Sequence, residues 1–302
     1  PETGCLDPVA LERSITSRTR AITVVHLGSA VADLDRLVAI ARAHSIPLIE
    51  DCAQAHGARY AGRHVGCFGA VGTFSMQHSK LLTSGEGGAV ITNSHSLARR
   101  VEHLRADGRT LAVLPPYIDE MALVETAEIM GNNYCLSEFH AAILMAQLEI
   151  LDEHLAHRRH NASVLDSLLA SLGFMPQATA PRTTERSHYT YVVRLPQSIV
   201  ENHGAERFAA ALSAEICLPC KMMYSSLNQS RLYKPYSRNR FKLNQAFTDA
   251  IDPSRFQLPI AQDFSKSCIA LPHRMLLADT GAMTYVAAAF EKVAKLIGNQ
   301  RA

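Results

Sequence analysis

The spacing of apolar positions near the start of the chain predicts a strand, a helix and a second strand. Residues 20–25 read Arg-Ala-Ile-Thr-Val-Val, a run typical of a buried strand. In residues 31–43 apolar side chains recur at helical intervals, and Asp33 and Asp35 suit the first turn of a helix. The next strand is expected at 47–50. This order predicts a βαβ unit, and such units build parallel sheets whose ligands bind beyond the carboxyl ends of the strands.

The pattern beyond this unit continues the sheet and then changes. Two short strands are expected at 72–76 and 88–92, followed by a helix that Asn93 or Ser94 caps and that extends to Arg105. Residues 111–130 have no clear period and contain two adjacent prolines, so we predict a loop over a surface or a partner subunit.

Two helices are predicted in the middle of the chain, at 136–155 and 158–172. Gly173 follows the second, where a C-cap glycine is common. Because the pattern changes between these helices, we place the domain division there, with a large domain at 1–155 and a smaller one at 156–302.

The smaller domain is predicted to be α+β. Residues 188–195 alternate as a strand does, and residues 205–215 and 278–297 have helical spacing. Residues 225–267 are polar, contain several prolines and show little period, which favours a long ordered excursion near a substrate entrance or a dimer interface.

Composition narrows the class of protein. The 302 residues favour about two domains, and 47% hydrophobic and 19% charged residues are ordinary for a globular chain. The net charge of +2 gives no reason to expect a nucleic-acid partner, and no apolar run is long enough for a membrane span. Seven cysteines, an odd number, favour reduced thiols and a cytoplasmic location. A lone Cys217-Leu218-Pro219-Cys220 favours packing over zinc.

The candidate chemistry lies between Pro47 and Asn93. Asp51 follows a buried strand, where a carboxylate needs a cation or a protonated ring, although it could also cap the following loop. Lys80 follows another strand and precedes a glycine-rich turn. A lone lysine is usually a solvated surface charge, but a desolvated one becomes an amine nucleophile. An acid for a pyridinium nitrogen and a lysine for an aldehyde are the two protein groups that a pyridoxal 5'-phosphate (PLP) site needs.

Two stretches carry a resemblance to a known family. Asp51-Cys52-Ala53-Gln54-Ala55-His56-Gly57 and the run FSMQHSKLLTSGEGG, which begins at Phe74, resemble the signature of the DegT/DnrJ/EryC1/StrS aminotransferases. The resemblance implies an α/β protein of PLP-dependent transferase fold type I, with a mostly parallel central sheet flanked by helices plus a smaller C-terminal α+β domain. Within this family, the run FSMQHSKLLTSGEGG together with the segments RADGR and NNYCLSE is most similar to the branch of L-glutamine:2-deoxy-scyllo-inosose aminotransferases.

The resemblance implies roles for four residues of this stretch. Lys80 forms the Schiff base and then acts as general acid and base, and Asp51 pairs with the pyridinium nitrogen. Gln54 faces the cofactor ring and its phenolic oxygen, unless it is an ordinary loop amide. Ser75 donates to the phosphate, unless it is a capping serine. His26 and His78 could touch substrate or cofactor, but a structural role is the default for each.

A fifth candidate lies outside the stretch. Asn133, in GNNYCLSEFHAA, resembles the family's G-x-N-Y-R segment, which implies that its side chain reaches the phosphate of a neighbouring subunit in a homodimer with shared active sites. Cys135 stands where the family often has a basic residue. A helix N-cap is an equally weighted alternative for Asn133.

The start of the chain bears on activity. The sequence starts at Pro1 without an initiating methionine and shows no signal pattern, so we expect a chain that begins mid-sequence or has been processed or truncated. The family's N-terminal Gly-Thr phosphate turn and stacking aromatic residue are not visible. The expected function is transfer of an amino group from glutamine or glutamate to a keto-cyclitol or keto-sugar in aminocyclitol antibiotic biosynthesis. The alternatives are an impaired PLP-fold partner subunit, a nucleotide-sugar aminotransferase, and a sugar dehydratase, which Lys80 disfavours.

Overall fold

The computed structural model describes residues 2–111, 123–126, 128–237 and 243–298. The chain divides into two compact units. The first unit comprises Cys5–Arg159 and Thr179–Tyr189; the second comprises Pro1–Gly4, His160–Ala178 and Thr190–Ala302. The expected domain limits, 1–155 and 156–302, stay a prediction, because a compact unit does not show which part binds the cofactor.

The helices of the described residues are α1 (Pro8–Ser14), α2 (Leu34–Ala43), α3 (His95–Arg105), α4 (Glu138–Ser171), α5 (Gln197–His203), α6 (Ala205–Ile216), α7 (Gln245–Ala250), α8 (Pro259–Ser267) and α9 (Gly281–Gly298). The strands are β1 (Ile22–Val25), β2 (Leu48–Asp51), β3 (Arg59–Tyr60), β4 (Arg63–His64), β5 (Val71–Ser75), β6 (Gly88–Ile91), β7 (Arg109–Leu111), β8 (Leu123–Glu125), β9 (Met175–Pro176), β10 (Thr183–Glu185), β11 (Thr190–Arg194), β12 (Lys221–Met222) and β13 (Cys268–Pro272).

The main sheet of the first unit has the strand order β1-β2-β5-β6. Strands β1, β2 and β5 are parallel, with Val25 opposite Asp51 and Asp51 opposite Thr73, whereas β6 runs antiparallel to β5. The predicted βαβ unit and mostly parallel sheet are therefore confirmed. The carboxyl ends of three neighbouring strands lie along one edge, where α/β proteins bind ligands.

Helix α2 covers this sheet because its sequence is amphipathic. Asp33 is the N-cap and accepts a hydrogen bond from the N–H of Arg36 at 3.3 Å. Leu34 and Leu37 are fully buried in the same core as Val24. Burying each leucine contributes about 1.5–3 kcal/mol, so the helix is held by packing more than by its cap.

The second unit has an antiparallel sheet of order β12-β13-β11-β9. Its core is aromatic: Phe174 lies with its ring centroid 5.6 Å from that of Phe208 and 5.0 Å from that of Phe290, which stands in α9. Sheet and helices together confirm the expected α+β architecture.

The prediction of two central helices was wrong. Residues 138–171 form the single 34-residue helix α4. This segment contains neither proline nor glycine, so the change of apolar pattern near residue 156 shifts the buried face without ending the helix. The predicted end is confirmed: Gly173 has φ 81° and the N–H of Phe174 donates to the carbonyl of Leu169 at 3.0 Å.

Two predicted irregular segments contain regular structure. In residues 111–130, β8 pairs antiparallel with β7, so the loop prediction was wrong there, and residues 112–122 and 127 lie outside the described part. In residues 225–267, α7 and α8 were missed, although Pro259 at the first turn of α8 is a helix-start signal; residues 238–242 are outside the described part.

The cysteines are all free thiols. Cys217 is exposed and has a left-handed backbone, whereas the half-buried Cys220 packs against the core of the second unit, so the packing expected for this pair holds for Cys220 alone. Within the described ranges no helix combines the length and hydropathy needed to cross a bilayer.

Candidate active site

Asp51 is the last residue of β2 and is fixed from both sides. Its carbonyl accepts from the N–H of His26 at 3.2 Å, and the N–H of Cys52 donates to the carbonyl of Thr73 at 2.8 Å. The side chain is half-buried, and Oδ1 accepts from the N–H of Ala53 at 3.0 Å, so the capping role is real. Within the described residues Oδ2 accepts no hydrogen bond, which leaves this oxygen for a cationic partner.

Gln54 lies in the loop that follows Asp51. Its Oε1 accepts from the N–H of Gly28 at 2.7 Å, and its carbonyl accepts from Oγ of Ser187 at 2.9 Å. The loop is therefore held on one side by the segment after β1 and on the other by residues 179–189. The loop-amide alternative thus describes part of what Gln54 does.

Ser75 ends β5, the strand next to β2. Its Oγ accepts from the N–H of Gln77 at 3.4 Å, a capping contact, and its hydroxyl hydrogen has no acceptor among the described residues. The N–H of Lys80 donates to the carbonyl of Gln77 at 2.9 Å and thereby closes the turn that carries the lysine. The hydroxyl of Ser75 is thus at the end of β5, and Lys80 lies in the turn that follows this strand.

The amine of Lys80 rests on an aromatic ring. Its Nζ lies 4.4 Å from the centroid of the Tyr189 ring, and the Tyr189 hydroxyl is 3.1 Å from Oγ of Ser79. Lys80 is half-buried and forms no ion pair with a described acid. Sequence reasoning missed Tyr189, because nothing in the sequence pattern links it to Lys80.

His56 follows Gln54 by two residues and packs against Phe74 of β5. Its side chain is 97% buried, its ring centroid is 5.5 Å from that of Phe74, and neither ring nitrogen has a hydrogen-bond partner in the described structure. Burial lowers the pKa of His56 to about 4; the positive charge of Lys80 adds to this, and the nearby main chain of Ser75 opposes it. His56 is therefore a neutral imidazole next to Lys80. The sequence identified it only as part of a motif.

Glu50 has a structural role distinct from that of Asp51. Its fully buried carboxylate accepts 2.7 Å hydrogen bonds from the N–H groups of Gly66, Phe68 and Gly69, and lies 3.4 Å from Nε2 of His26. Burial alone would raise the pKa of Glu50, but these donors outweigh it and the pKa is lowered. His26 is consequently structural, as the default expectation had it.

Asn133 lies elsewhere in the first unit. It is exposed, its Oδ1 accepts from the N–H of Cys135 at 3.2 Å, and it forms a bridge with Ala106. The helix-cap alternative is wrong, because Ser137 accepts from the N–H of His140 at the start of α4. No described hydrogen bond joins Asn133 to the other candidates, and its role toward a partner's cofactor stays a prediction.

The residues at the sheet edge fit PLP by their chemistry. Asp51 offers a half-buried carboxylate oxygen for a protonated ring nitrogen, Ser75 a hydroxyl for a phosphate oxygen, and Lys80 an amine without an acid partner. His78, by contrast, is exposed and contacts Gln77, so the described contacts give it no role beyond the loop.

Comparison with known proteins gives a consistent result. The family model described as the DegT/DnrJ/EryC1/StrS aminotransferase family matches residues 1–291. The L-glutamine:2-deoxy-scyllo-inosose aminotransferase of Streptomyces lividus is 55% identical over 97% of this chain and 69% of its own length. The L-glutamine:scyllo-inosose aminotransferase of Streptomyces griseus is 52% identical over the same shares. The crystal structure of 3-amino-5-hydroxybenzoic acid synthase is 30% identical, with a TM-score of 0.77 over 96% of this chain and 71% of that one.

Proposed function

Because the chain belongs to the DegT/DnrJ/EryC1/StrS aminotransferase family, we propose that it is a PLP-dependent aminotransferase that transfers the amino group of glutamine to a keto-cyclitol of the inosose type, in the biosynthesis of an aminocyclitol antibiotic. The observation that carries this proposal is the placement of Asp51 and Ser75 at the carboxyl ends of adjacent parallel strands, with Lys80 in the turn that follows.

Each residue has a defined task in this proposal. Bound PLP supplies an aldehyde that takes up the amino group and a ring that accepts electrons. Asp51 would keep the ring nitrogen protonated through its free oxygen, and Ser75 would donate its hydroxyl hydrogen to the phosphate. Nζ of Lys80, once released by the amino donor, would take the proton from the donor's α carbon and deliver it to the former aldehyde carbon of the cofactor. In the second half of the reaction Lys80 would move a proton in the opposite sense, from that carbon to the carbon of the acceptor.

We propose an inosose as the acceptor because the names of closely similar relatives specify one. Seven relatives that are 51–55% identical to this chain carry glutamine:inosose aminotransferase names, and one of these names scyllo-inosose without the 2-deoxy. This agreement supports glutamine as donor and favours a keto-cyclitol over a nucleotide sugar.

We propose that the protein is a homodimer with shared active sites. The basis is the exposed apolar surface near Asn133. The first half of α4 exposes large apolar side chains: Phe139 is 85%, Met145 68% and Leu148 54% exposed. A run of such residues marks an interaction surface. A second copy that covers it would bring Asn133 to an interface. Light scattering tests this, since Phe139→Asp with Met145→Asp should lower the mass to that of the monomer, whereas Leu232→Asp, at a more exposed apolar position in the second unit, should not.

A cytoplasmic location stays a prediction. The free thiols of the described structure are compatible with it, and one of them, Cys135, is exposed beside Asn133. Fractionation of cells that produce the chain would test the location directly.

The function is tested with purified protein, PLP and glutamine. Formation of the amino-cyclitol is followed by mass spectrometry with 2-deoxy-scyllo-inosose, scyllo-inosose and a nucleotide keto-sugar offered in parallel. We expect product from an inosose and none from the nucleotide sugar. Lys80→Ala should abolish the product, whereas Lys266→Ala, an exposed lysine of α8, should not change it. Product from the nucleotide sugar alone would contradict the proposed acceptor.

A further inference from the structure

We propose that Tyr189 is a positioning residue for Lys80, whose ring holds the ε-ammonium group whenever Lys80 is not bonded to the cofactor. The inference rests on the proposed function and extends it to a residue from a distant part of the sequence. Tyr189 is the last residue of the stretch Thr179–Tyr189, which returns to the first unit after the chain has entered the second.

Tyr189 contacts the lysine turn at two points. The face of its ring lies 4.4 Å from Nζ of Lys80, within the range of a cation–π interaction. Its hydroxyl lies 3.1 Å from Oγ of Ser79, which itself donates to Oε1 of Gln77 at 2.7 Å. One side chain therefore holds both the reactive amine and the turn from which that amine extends.

Packing fixes the ring in place. Tyr189 is only 9% exposed and forms a small apolar cluster with Leu81 and Leu155. Leu81 directly follows Lys80, and Leu155 lies in α4. The Tyr189 ring therefore packs between the lysine turn and α4. A ring held in this way cannot move aside without opening the cluster.

The residues just before Tyr189 are hydrogen-bonded to the Gln54 loop and to the segment after β1. Ser187 donates to the carbonyl of Gln54 at 2.9 Å, and Nε of Arg186 donates to the carbonyl of Ser29 at 3.1 Å. His188 has φ 53°, a left-handed conformation that non-glycine residues adopt at a cost when the surrounding structure demands it. Residues 186–189 thus join the Gln54 loop to the Lys80 turn.

This arrangement solves a problem that the proposed reaction creates. A lysine side chain is long and flexible, yet in the proposed reaction Lys80 would have to leave the cofactor, carry a proton and return to the same atom in each cycle. The Tyr189 ring binds the ammonium group close to the proposed cofactor site. It therefore limits the positions that Nζ of Lys80 can occupy while Lys80 is not bonded to the cofactor. The described structure shows Lys80 in this position.

The placement is tested by NMR on the full chain with its seven lysines reductively methylated with 13C. Methyl groups above an aromatic ring are shifted upfield by the ring current. We expect one upfield lysine signal, assigned by its loss in Lys80→Arg, present in wild type and Tyr189→Phe and absent in Tyr189→Leu. Tyr191→Phe is the matched control, since it removes another buried tyrosine hydroxyl, bonded to Asp166, and should leave the signal unchanged.

The functional consequence is tested with the unmodified enzymes. Tyr189→Leu should lower kcat about three- to tenfold with the KM for glutamine nearly unchanged, and Tyr189→Phe should keep most of the wild-type kcat because it keeps the ring. Tyr191→Phe should keep the wild-type kcat, and the urea midpoint of Tyr189→Leu shows whether its lower kcat comes from lost folding instead.

Defined outcomes overturn the proposal. An unshifted Lys80 signal in wild type overturns it even if Tyr189→Leu does not fold, and so does a Tyr189→Leu enzyme with wild-type kcat. If the upfield signal is present but wild type transfers no amino group to any acceptor, the proposed function fails and the positioning role in catalysis falls with it, while the contact between Lys80 and Tyr189 is confirmed.

Discussion

Glu50 and Asp51 are adjacent in β2, and their side chains have opposite roles. Neighbouring residues of a strand point to opposite faces of the sheet. Glu50 is completely buried and accepts three main-chain N–H groups, whereas Asp51 is half-buried at the sheet edge and keeps one oxygen free of described partners. One carboxylate therefore holds the fold and the other is available for chemistry.

Asp51→Asn is expected to lower kcat by at least about a hundredfold, the scale seen when one catalytic electrostatic contact is lost. Asparagine keeps the shape and the contact with Ala53 but cannot hold a proton on the ring nitrogen. Lys80 should still bond to PLP in this variant. Asp263→Asn, which removes an exposed ion pair with Arg194, is the control and should retain its activity. A wild-type kcat in Asp51→Asn would refute the assigned role.

Glu50→Ala is expected to destabilise the protein by about 3–5 kcal/mol, because it leaves one buried and two part-buried N–H groups, and His26, without their acceptor. The lowered pKa of Glu50 also fixes the sign of a pH effect: its contribution is present above its unfolded pKa and is lost as the pH falls through its folded value. Urea unfolding between pH 7 and pH 3 measures both effects. Equal stability of wild type and Glu50→Ala at pH 7 would contradict this.

The difference between these two acids also shows what the sequence can predict. Chain order and apolar spacing identified β1, α2 and β2, and the resemblance identified Asp51, Gln54, Ser75 and Lys80. These are local signals.

The contacts that the sequence could not predict are between residues distant along the chain. Tyr189 reaches Lys80 and Ser187 reaches Gln54 only because residues 179–189 return to the first unit. The continuous α4 was missed for a related reason: its buried face changes along its length, and a single period cannot describe it.

His56→Phe is expected to reduce the loss of stability in acid. The folded pKa of His56, about 4, lies below its ordinary value of 6.5, so the unfolded chain binds the proton first, and stability falls as the pH drops from 6.5 toward 4. Phenylalanine removes this term, which is on the order of 3 kcal/mol. Urea midpoints at pH 7.5 and pH 4.5 measure it, with the exposed His64→Phe as control. Equal acid sensitivity of wild type and His56→Phe would contradict the buried neutral imidazole.

Arg158→Met is expected to stabilise the protein by about 1–3 kcal/mol. Arg158 is 97% buried, and its Nε and Nη1 have no partner in the described structure. Burial lowers its pKa to about 10, which leaves it charged at neutral pH, and an apolar side chain of similar length removes an unpaired buried cation. Arg159→Met, which breaks the 3.1 Å pair with Glu185, should instead be neutral or destabilising. A lower urea midpoint in Arg158→Met would show that its guanidinium has an acceptor in solution.

In the proposed function, Lys80 is the residue that bonds to PLP. The most direct test is to saturate the chain with PLP, reduce with borohydride and map the modified peptides by mass spectrometry. We expect one phosphopyridoxyl group per chain, on Lys80, absent from Lys80→Ala and unchanged in Lys266→Ala. An unmodified Lys80 at saturating PLP, with the label on other lysines or on none, would contradict it.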